Sequence, residues 1–266
     1  MVVQTILIED VHAVRTITLA RPDKLNAFDA AMAQGFLVAL DGAKSEAIRA
    51  VIVTGAGKAF SAGQDLAEVL QKPDAPPVDL GRVLEIQWNP IVRAIRNLGK
   101  PVICAVNGTA AGAGANVALA CDIVLAARSA KFIQPFCKLG LVPDSGGTWL
   151  LPRLLGEARA KALTILGDAI TAEQAEAWGM IWKAVPDDQL MTIAQDMAIR
   201  LATQPTYGLG LTKQAIHASA CASLEEQLNV ERDLQRLAGA SEDYAEGVAA
   251  FIEKRQPCFT GKPPPR

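Results

Sequence analysis

The chain has 266 residues, 50% of them hydrophobic, enough to bury a sizeable core as one large domain or as a domain with a helical appendage. Its 26 basic and 28 acidic side chains leave a formal charge of −2 with no basic block, which excludes a disordered chain and offers nucleic acid no footprint. Cys104, Cys121, Cys137, Cys221 and Cys258 are odd in number and far apart, so they build neither a disulfide framework nor a zinc spacing. Four of the five sit in Ala/Val/Leu-rich surroundings that read as core, and together they suggest a reducing compartment.

The N-terminal residues to Glu9 carry neither a basic leader nor a long apolar run, and read as the first strand of a cytoplasmic protein with no membrane segment. Val11 to Leu19 alternates apolar and polar residues, and Ala50 to Thr54 is an apolar run ending at Gly55; both predict strands. Between them, residues 26–43 place Phe28, Met32, Phe36, Leu37 and Leu40 at helical spacing. Pro101 to Val106 and Ile123 to Ala126 repeat the strand pattern around a helix at 115–120, which predicts stacked β-α units on parallel strands. Residues 71–81, with Pro73, Pro76 and Pro77, predict a surface excursion, and Glu85 to Leu98 a helix interrupted near Pro90. From Glu157 the composition turns to helix formers, with segments at about 157–166, 171–178, 187–203, 206–220, 222–238 and 241–255. The proline-rich end from Thr260 predicts a frayed tail.

Two small-residue turns follow apolar strands, at Ala59 to Leu66 and at Asn107 to Asn116, and such turns let backbone N–H groups face a ligand closely. The second contains Gly112-Ala113-Gly114, but Val117 stands where a dinucleotide fingerprint needs its third glycine, and no phosphate-binding P-loop occurs. N–H groups converging from two turns would make an oxyanion hole. Asp144 is the only carboxylate between Asp122 and Glu157, in Gly140-Leu141-Val142-Pro143-Asp144-Ser145-Gly146-Gly147. Burial disfavours its charged form and lifts it from the usual value of about 3.9 toward the range of a general acid or base. One carboxylate that takes and returns a proton suggests isomerisation; the same residue also suits the N-cap of the helix that follows.

Ala59 to Leu66, then Lys100 to Gly108 with Gly112-Ala113-Gly114, then Gly140 to Gly147, resemble the crotonase (enoyl-CoA hydratase/isomerase) superfamily, in the expected order and over nearly the entire chain. The resemblance implies an α/β fold: a crotonase-like β-β-α spiral core with the acyl-CoA site over 1–200, and a helical C-terminal trimerisation region and tail over 201–266. It also implies an acyl-CoA thioester substrate, a homotrimer or a hexamer built as a dimer of trimers, and no cofactor or metal beyond the coenzyme A of the substrate. The thioester oxygen is expected between the backbone N–H groups of Gln64 and Ala113. Coenzyme A contacts are expected at Lys24, Ala62, Asp65 and Leu66, with Phe259 and Lys262 reaching the nucleotide, often from a neighbouring subunit.

The two glutamates that add water in family hydratases are replaced here by Asn116 and Phe136, expected to line the pocket, and neither titrates. Asp144 remains as catalytic acid and base, at a position that bears the acid in members that move double bonds or attack aryl rings. Segments such as Pro143 to Arg153 and Trp178 to Trp182 are similar to family isomerases that rearrange a ring-epoxidised phenylacetyl-CoA to an oxepin-CoA in phenylacetate catabolism. The rivals are an aryl-CoA dehalogenase, for which His12 and His217 are poorly placed as water-activating bases, another isomerase such as a dienoyl-CoA isomerase, and a non-catalytic acyl-CoA binder.

Overall fold

A computed structural model describes residues 4–70, 76 and 78–264. Its strands are β1 (Ile6–Val11), β2 (Val14–Leu19), β3 (Ala50–Gly55), β4 (Ala59–Ser61), β5 (Val102–Val106), β6 (Thr109–Ala111), β7 (Ile123–Ala127), β8 (Lys131–Ile133), β9 (Ala169–Thr171) and β10 (Lys183–Val185). They form a six-stranded sheet in the order β1-β2-β3-β5-β7-β10 and a four-stranded sheet in the order β4-β6-β8-β9. Within these, only the β1–β2 and β8–β9 pairings are antiparallel. Each turn of chain lays a strand in the large sheet and bends sharply into a short strand of the small one: β3 then β4, β5 then β6, β7 then β8. This is the expected β-β-α spiral.

The sequence dictates the bends. Residues 51–53 and 102–106 are apolar without interruption and wholly buried, as parallel strands covered on both faces must be. A Cβ on Gly55 or Gly108 would run into the backbone of residues 58–60, so glycine at both positions lets the chain double back within van der Waals contact.

The helices are α1 (Ala30–Gly42), α2 (Leu66–Val69), α3 (Leu80–Val83), α4 (Asn89–Asn97), α5 (Ala113–Leu119), α6 (Gly147–Leu155), α7 (Glu157–Leu166), α8 (Ala172–Ala177), α9 (Leu190–Ala202), α10 (Thr206–Ser219), α11 (Leu224–Gly239) and α12 (Glu242–Glu253). Several differ from the sequence reading for identifiable reasons. Helix α1 starts at Ala30 rather than 26, capped by the Asp29 carboxylate accepting from Met32 N–H at 2.8 Å. Leu25 and Asn26 hold left-handed backbone (φ 51° and 54°), and the buried Asn26 amide donates to the Ala56 and Ala59 carbonyls at 2.9 and 2.8 Å. The strand expected over 11–19 begins at Val14, because His12 and Ala13 turn the chain at φ 50° and 59° and Val11 closes the strand before it. The interruption near Pro90 is a π-helical turn at Leu84–Trp88 that delivers Asn89 N–H to the Leu84 carbonyl. Pro73 and Pro77 lie outside the described residues. Of the cysteines only Cys104 and Cys121 are buried; Cys137, Cys221 and Cys258 lie in turns and the C-terminal segment and are exposed.

The boundary expected at residue 200 falls inside α9, whose Ala194, Ala198 and Ala202 are buried. Beyond it, α10 is tied back to the core by Lys213, which donates to the Ile95 carbonyl at 2.8 Å and to Asp122 at 2.9 Å. Burial pushes the Asp122 carboxyl up and Lys213 pulls against it. Lys213→Met is expected to cost about 2 kcal/mol in urea unfolding at neutral pH, because the carboxylate is left unpaired, and adding Asp122→Asn should restore most of the loss. Among the described residues no helix is long and apolar enough to cross a membrane.

Candidate functional site

A cavity of about 800 Å³ opens between the two small-residue turns, the α2–α4 segment and the 135–144 loop. Its wall is mostly apolar, with Leu84, Trp88, Phe136 and Leu141 on it, and it brings together Lys24, Ala62, Gln64, Asp65, Leu66, Ala113 and Asp144 from four separate stretches of sequence. Such a site buries an organic ligand and leaves orientation to a few polar groups.

Two of those groups are backbone amides. Phe28 N–H donates to the Gly63 carbonyl at 2.7 Å and Asp65 N–H to the Phe28 carbonyl at 2.8 Å, a parallel bridge that turns the N–H of Gln64 away from Phe28. Ala113 is the first residue of α5, so its N–H lies beyond the helical ladder. Among the described residues neither amide has an acceptor. Gly63 brings the turns together: at φ 86°, a Cβ on it would lie 2.9 Å from the Ala111 carbonyl and 3.2 Å from the Ala113 nitrogen. The Gln64 side chain is held by Trp88, whose indole N–H donates to Gln64 Oε1 at 2.7 Å. Trp88 itself is buried against Phe28, ring centroids 5.0 Å apart. The sequence reading missed Trp88; its signal was an aromatic just ahead of the proline interruption.

The third group is Asp144. Ser145 (φ 49°) and Gly146 (φ 80°) make a left-handed turn closed by Gly147 N–H donating to the Asp144 carbonyl at 2.7 Å. Asp144 therefore does not cap α6: that helix begins at Gly147 behind a left-handed Gly146, with no side-chain cap. The turn aims the carboxyl into the cavity instead. Burial pushes it up to about 6, with the Ser145 hydroxyl, donating to Oδ1 at 2.9 Å, holding it back. The other carboxylate on the wall, Asp65, is tied to Arg21 at 2.9 Å and caps α2. Activity that needs ionised Asp144 should fall on the acid side with an apparent pKa near 6 in a kcat/KM profile. Ser145→Ala removes a bond that favours the charged form, so that limb should move to higher pH by about half a unit to one unit.

At the opposite end stands Lys24, on a loop pinned by Arg21, which donates to the Ala27 carbonyl and pairs with Asp29 and Asp65. The N–H groups of Ala62 and Asp65 are spent on Leu25 and Phe28. That leaves the Ala62 carbonyl and the Leu66 N–H without partners among the described residues, an acceptor and a donor of the kind an adenine edge requires.

One site expectation differs. Asn116 is fully buried under the cavity wall rather than on it, donating to the Asp144 carbonyl at 2.9 Å. Phe259 and Lys262 are not on this cavity: their segment docks on Arg49, which donates to the Phe259 carbonyl at 2.8 Å, and on Asp243, which accepts from Gly261 N–H at 2.8 Å. Lys262 pairs with Glu46 at 3.3 Å. Phe136 does line the cavity, over Gly112. Neither His12 nor His217 is among the residues lining it.

The Enoyl-CoA hydratase/isomerase family matches residues 9–262. The chain is 55% identical over 250 residues to 1,2-epoxyphenylacetyl-CoA isomerase of Escherichia coli (strain K12), covering 94% of this chain and 95% of that protein. It is 36% identical over 253 residues to trans-2-decenoyl-[acyl-carrier-protein] isomerase of Streptococcus mutans, covering 94% and 96%. The crystal structure of enoyl-CoA hydratase from Bacillus anthracis superposes with a TM-score of 0.91 at 33% identity, covering 97% of this chain and all of that one. With the fold, the paired amides and a match of this extent, the chain belongs to the enoyl-CoA hydratase/isomerase family.

Proposed function

We propose that the protein is an acyl-CoA isomerase that rearranges 1,2-epoxyphenylacetyl-CoA to its oxepin isomer and shifts double bonds in unsaturated acyl-CoA thioesters. The observation that carries this is a cavity with one cation-free carboxylate, Asp144, among its described lining residues; the family resemblance adds that Asn116 and Phe136 stand where hydratases carry their two glutamates. The identity to an isomerase over most of both chains supports it.

In this reading the thioester oxygen lies between the N–H groups of Gln64 and Ala113, which withdraw electron density and acidify the C–H bond next to the carbonyl. For a 3-enoyl thioester, Asp144 takes the proton from C2 and the electron pair moves into a dienolate held by the two amides. Asp144 then returns the proton at C4, leaving the double bond conjugated and the carboxylate as it began. The apolar wall keeps water from the intermediate. Coenzyme A enters as part of the substrate, with Lys24 at its phosphates and the Ala62 carbonyl and Leu66 N–H at its adenine; no other cofactor takes part. Helices α11 and α12 leave Leu224, Phe251 and Ile252 more than 70% exposed, apolar surface suited to burial in a homotrimer or a dimer of trimers. Phe259 and Lys262 would then meet the nucleotide of a neighbouring copy. With its reduced thiols the protein fits the cytoplasm.

The test is incubation with 1,2-epoxyphenylacetyl-CoA and separation of products by mass and ultraviolet spectrum. A new chromophore at unchanged mass supports the reading. Unchanged substrate, with coenzyme A bound, would favour the non-catalytic binder. A dehalogenase would need a base to activate water, and no histidine is among the residues lining the cavity.

A further inference from the structure

We propose that Gln134 and Asn116 form a one-way amide relay that positions Asp144, and that this, rather than contact with substrate, is the work of Asn116. The inference rests on Asp144 being the proton carrier. Gln134 Nε2 donates to Asn116 Oδ1 at 2.8 Å, and Asn116 Nδ2 donates to the Asp144 carbonyl at 2.9 Å. Gln134 and Asn116 are 1% and 0% exposed, so water does not compete for either bond.

The direction of the relay follows from chemistry at its far end. A carbonyl can only accept, so Asn116 must turn its NH2 toward Asp144 and its oxygen toward Gln134. Gln134 must then present its own NH2, which leaves Gln134 Oε1 buried with no partner among the described residues. An unpaired buried acceptor is costly, and a residue that only filled space at 134 would avoid it. The cost makes sense if the donor is needed.

The geometry around the relay is tight. The Asp144 carbonyl carries two donors, Asn116 Nδ2 and Gly147 N–H, which pin the start of the left-handed turn. A Cβ on Gly147 would overlap the Asn116 amide, so the turn closes directly on it. Asn116 also lies in α5, one turn after Ala113, so a single rigid helix carries both an oxyanion amide and the support of the acid. Hence a turn with two left-handed residues can hold its carboxyl steady. Gln134 and Asn116 are positioning residues; neither touches the reacting atoms.

The test uses the full-length enzyme with a 3-enoyl-CoA, following formation of the conjugated thioester from acid to alkaline pH. Gln134→Glu can donate to Asn116 only while protonated; once ionised it repels Asn116 Oδ1 and drives the amide to flip away from Asp144. The nearest titratable side chains in the adjoining turn are Cys137 and Lys138, both beside Gly167, and Asp144 lies beyond Asn116. The variant should keep the ascending limb of the parent and gain a descending limb above about pH 7, with kcat down about tenfold at the alkaline end and KM within about threefold. Gln134→Met, which never donates, should lose about tenfold in kcat at every pH and show no descending limb. Asn116→Asp should behave as Gln134→Glu does, and serves if the position-134 variants do not fold. A folded Gln134→Glu whose profile and kcat match the parent overturns the relay. Asp144→Asn, run alongside, separates the two failures. If it is inactive while Gln134→Glu is normal, the relay alone falls; if it is active, the proton-carrier reading and the relay fall together.

Discussion

Asp144→Asn is expected to lower isomerase turnover by about a thousandfold with KM changed by less than about threefold, since the amide keeps the shape and loses the proton transfer. Loss confined to kcat is the signature, because the carboxyl acts at the reacting carbon while binding is spread over the cavity wall. The same substitution should stabilise the fold at neutral pH. In the folded protein Asp144 holds its proton up to about 6, against about 3.9 in an unfolded chain. Below about pH 4 both states are protonated and Asp144 costs nothing relative to asparagine. Between about pH 4 and 6 an unfolded chain ionises while the folded state keeps its proton, so stability is lost across that window toward a limit of about 3 kcal/mol, or about 2 after allowing for the water that reaches a half-buried group. Denaturant melts should therefore show parent and variant alike near pH 4, with the variant ahead at pH 8. Equal stability at both would mean that Asp144 is not buried as described.

Gly63→Ala is expected to cost about a hundredfold in kcat and about 1–2 kcal/mol in stability. The added Cβ has no room between the Ala111 carbonyl and the Ala113 nitrogen, and φ 86° is left-handed backbone that alanine adopts only under strain. Relief comes by spreading the two turns, which moves the N–H groups of Gln64 and Ala113 apart. Displacements of this size cost on the order of a hundredfold when they misplace an oxyanion donor. Side-chain changes at Gln64 or Ala113 leave the main-chain donors in place, so the glycine is the informative position. Gly99→Ala, with open space around its Cβ, is the matched control and should be near neutral in turnover.

Strands β1, β2, β3, β5 and β7 of the large sheet were legible from apolar runs or alternation, and α7 and α10 from helix-forming composition; β10, with three residues, was not. Nor was the small sheet. β4, β6 and β8 have three residues each, too few for any period, and β4 and β6 exist because Gly55 and Gly108 let the chain fold back onto itself. The turn carrying Asp144 misled for a related reason: Asp before Ser-Gly-Gly reads locally as a helix cap, while two left-handed residues carry the carboxyl away from α6. Asp144 and the two amide turns stood out because their residue types are unusual for their surroundings. Trp88, Gln134 and the true part of Asn116 did not, because each acts through a contact 18 to 28 residues away in sequence, or 24 for Trp88. Phe259 and Lys262 were named from the resemblance, and within one chain they dock on Arg49, Asp243 and Glu46.

With Asp144 as its one acid, the enzyme moves a proton within its substrate and does not add water. Chromatographic separation with mass and ultraviolet detection of the products from a 3-enoyl-CoA and its 2-enoyl isomer distinguishes the two outcomes. Interconversion at constant mass, lost in Asp144→Asn, is the expected result. A 3-hydroxyacyl-CoA, heavier than the substrate by one water and formed at a comparable rate, would contradict it.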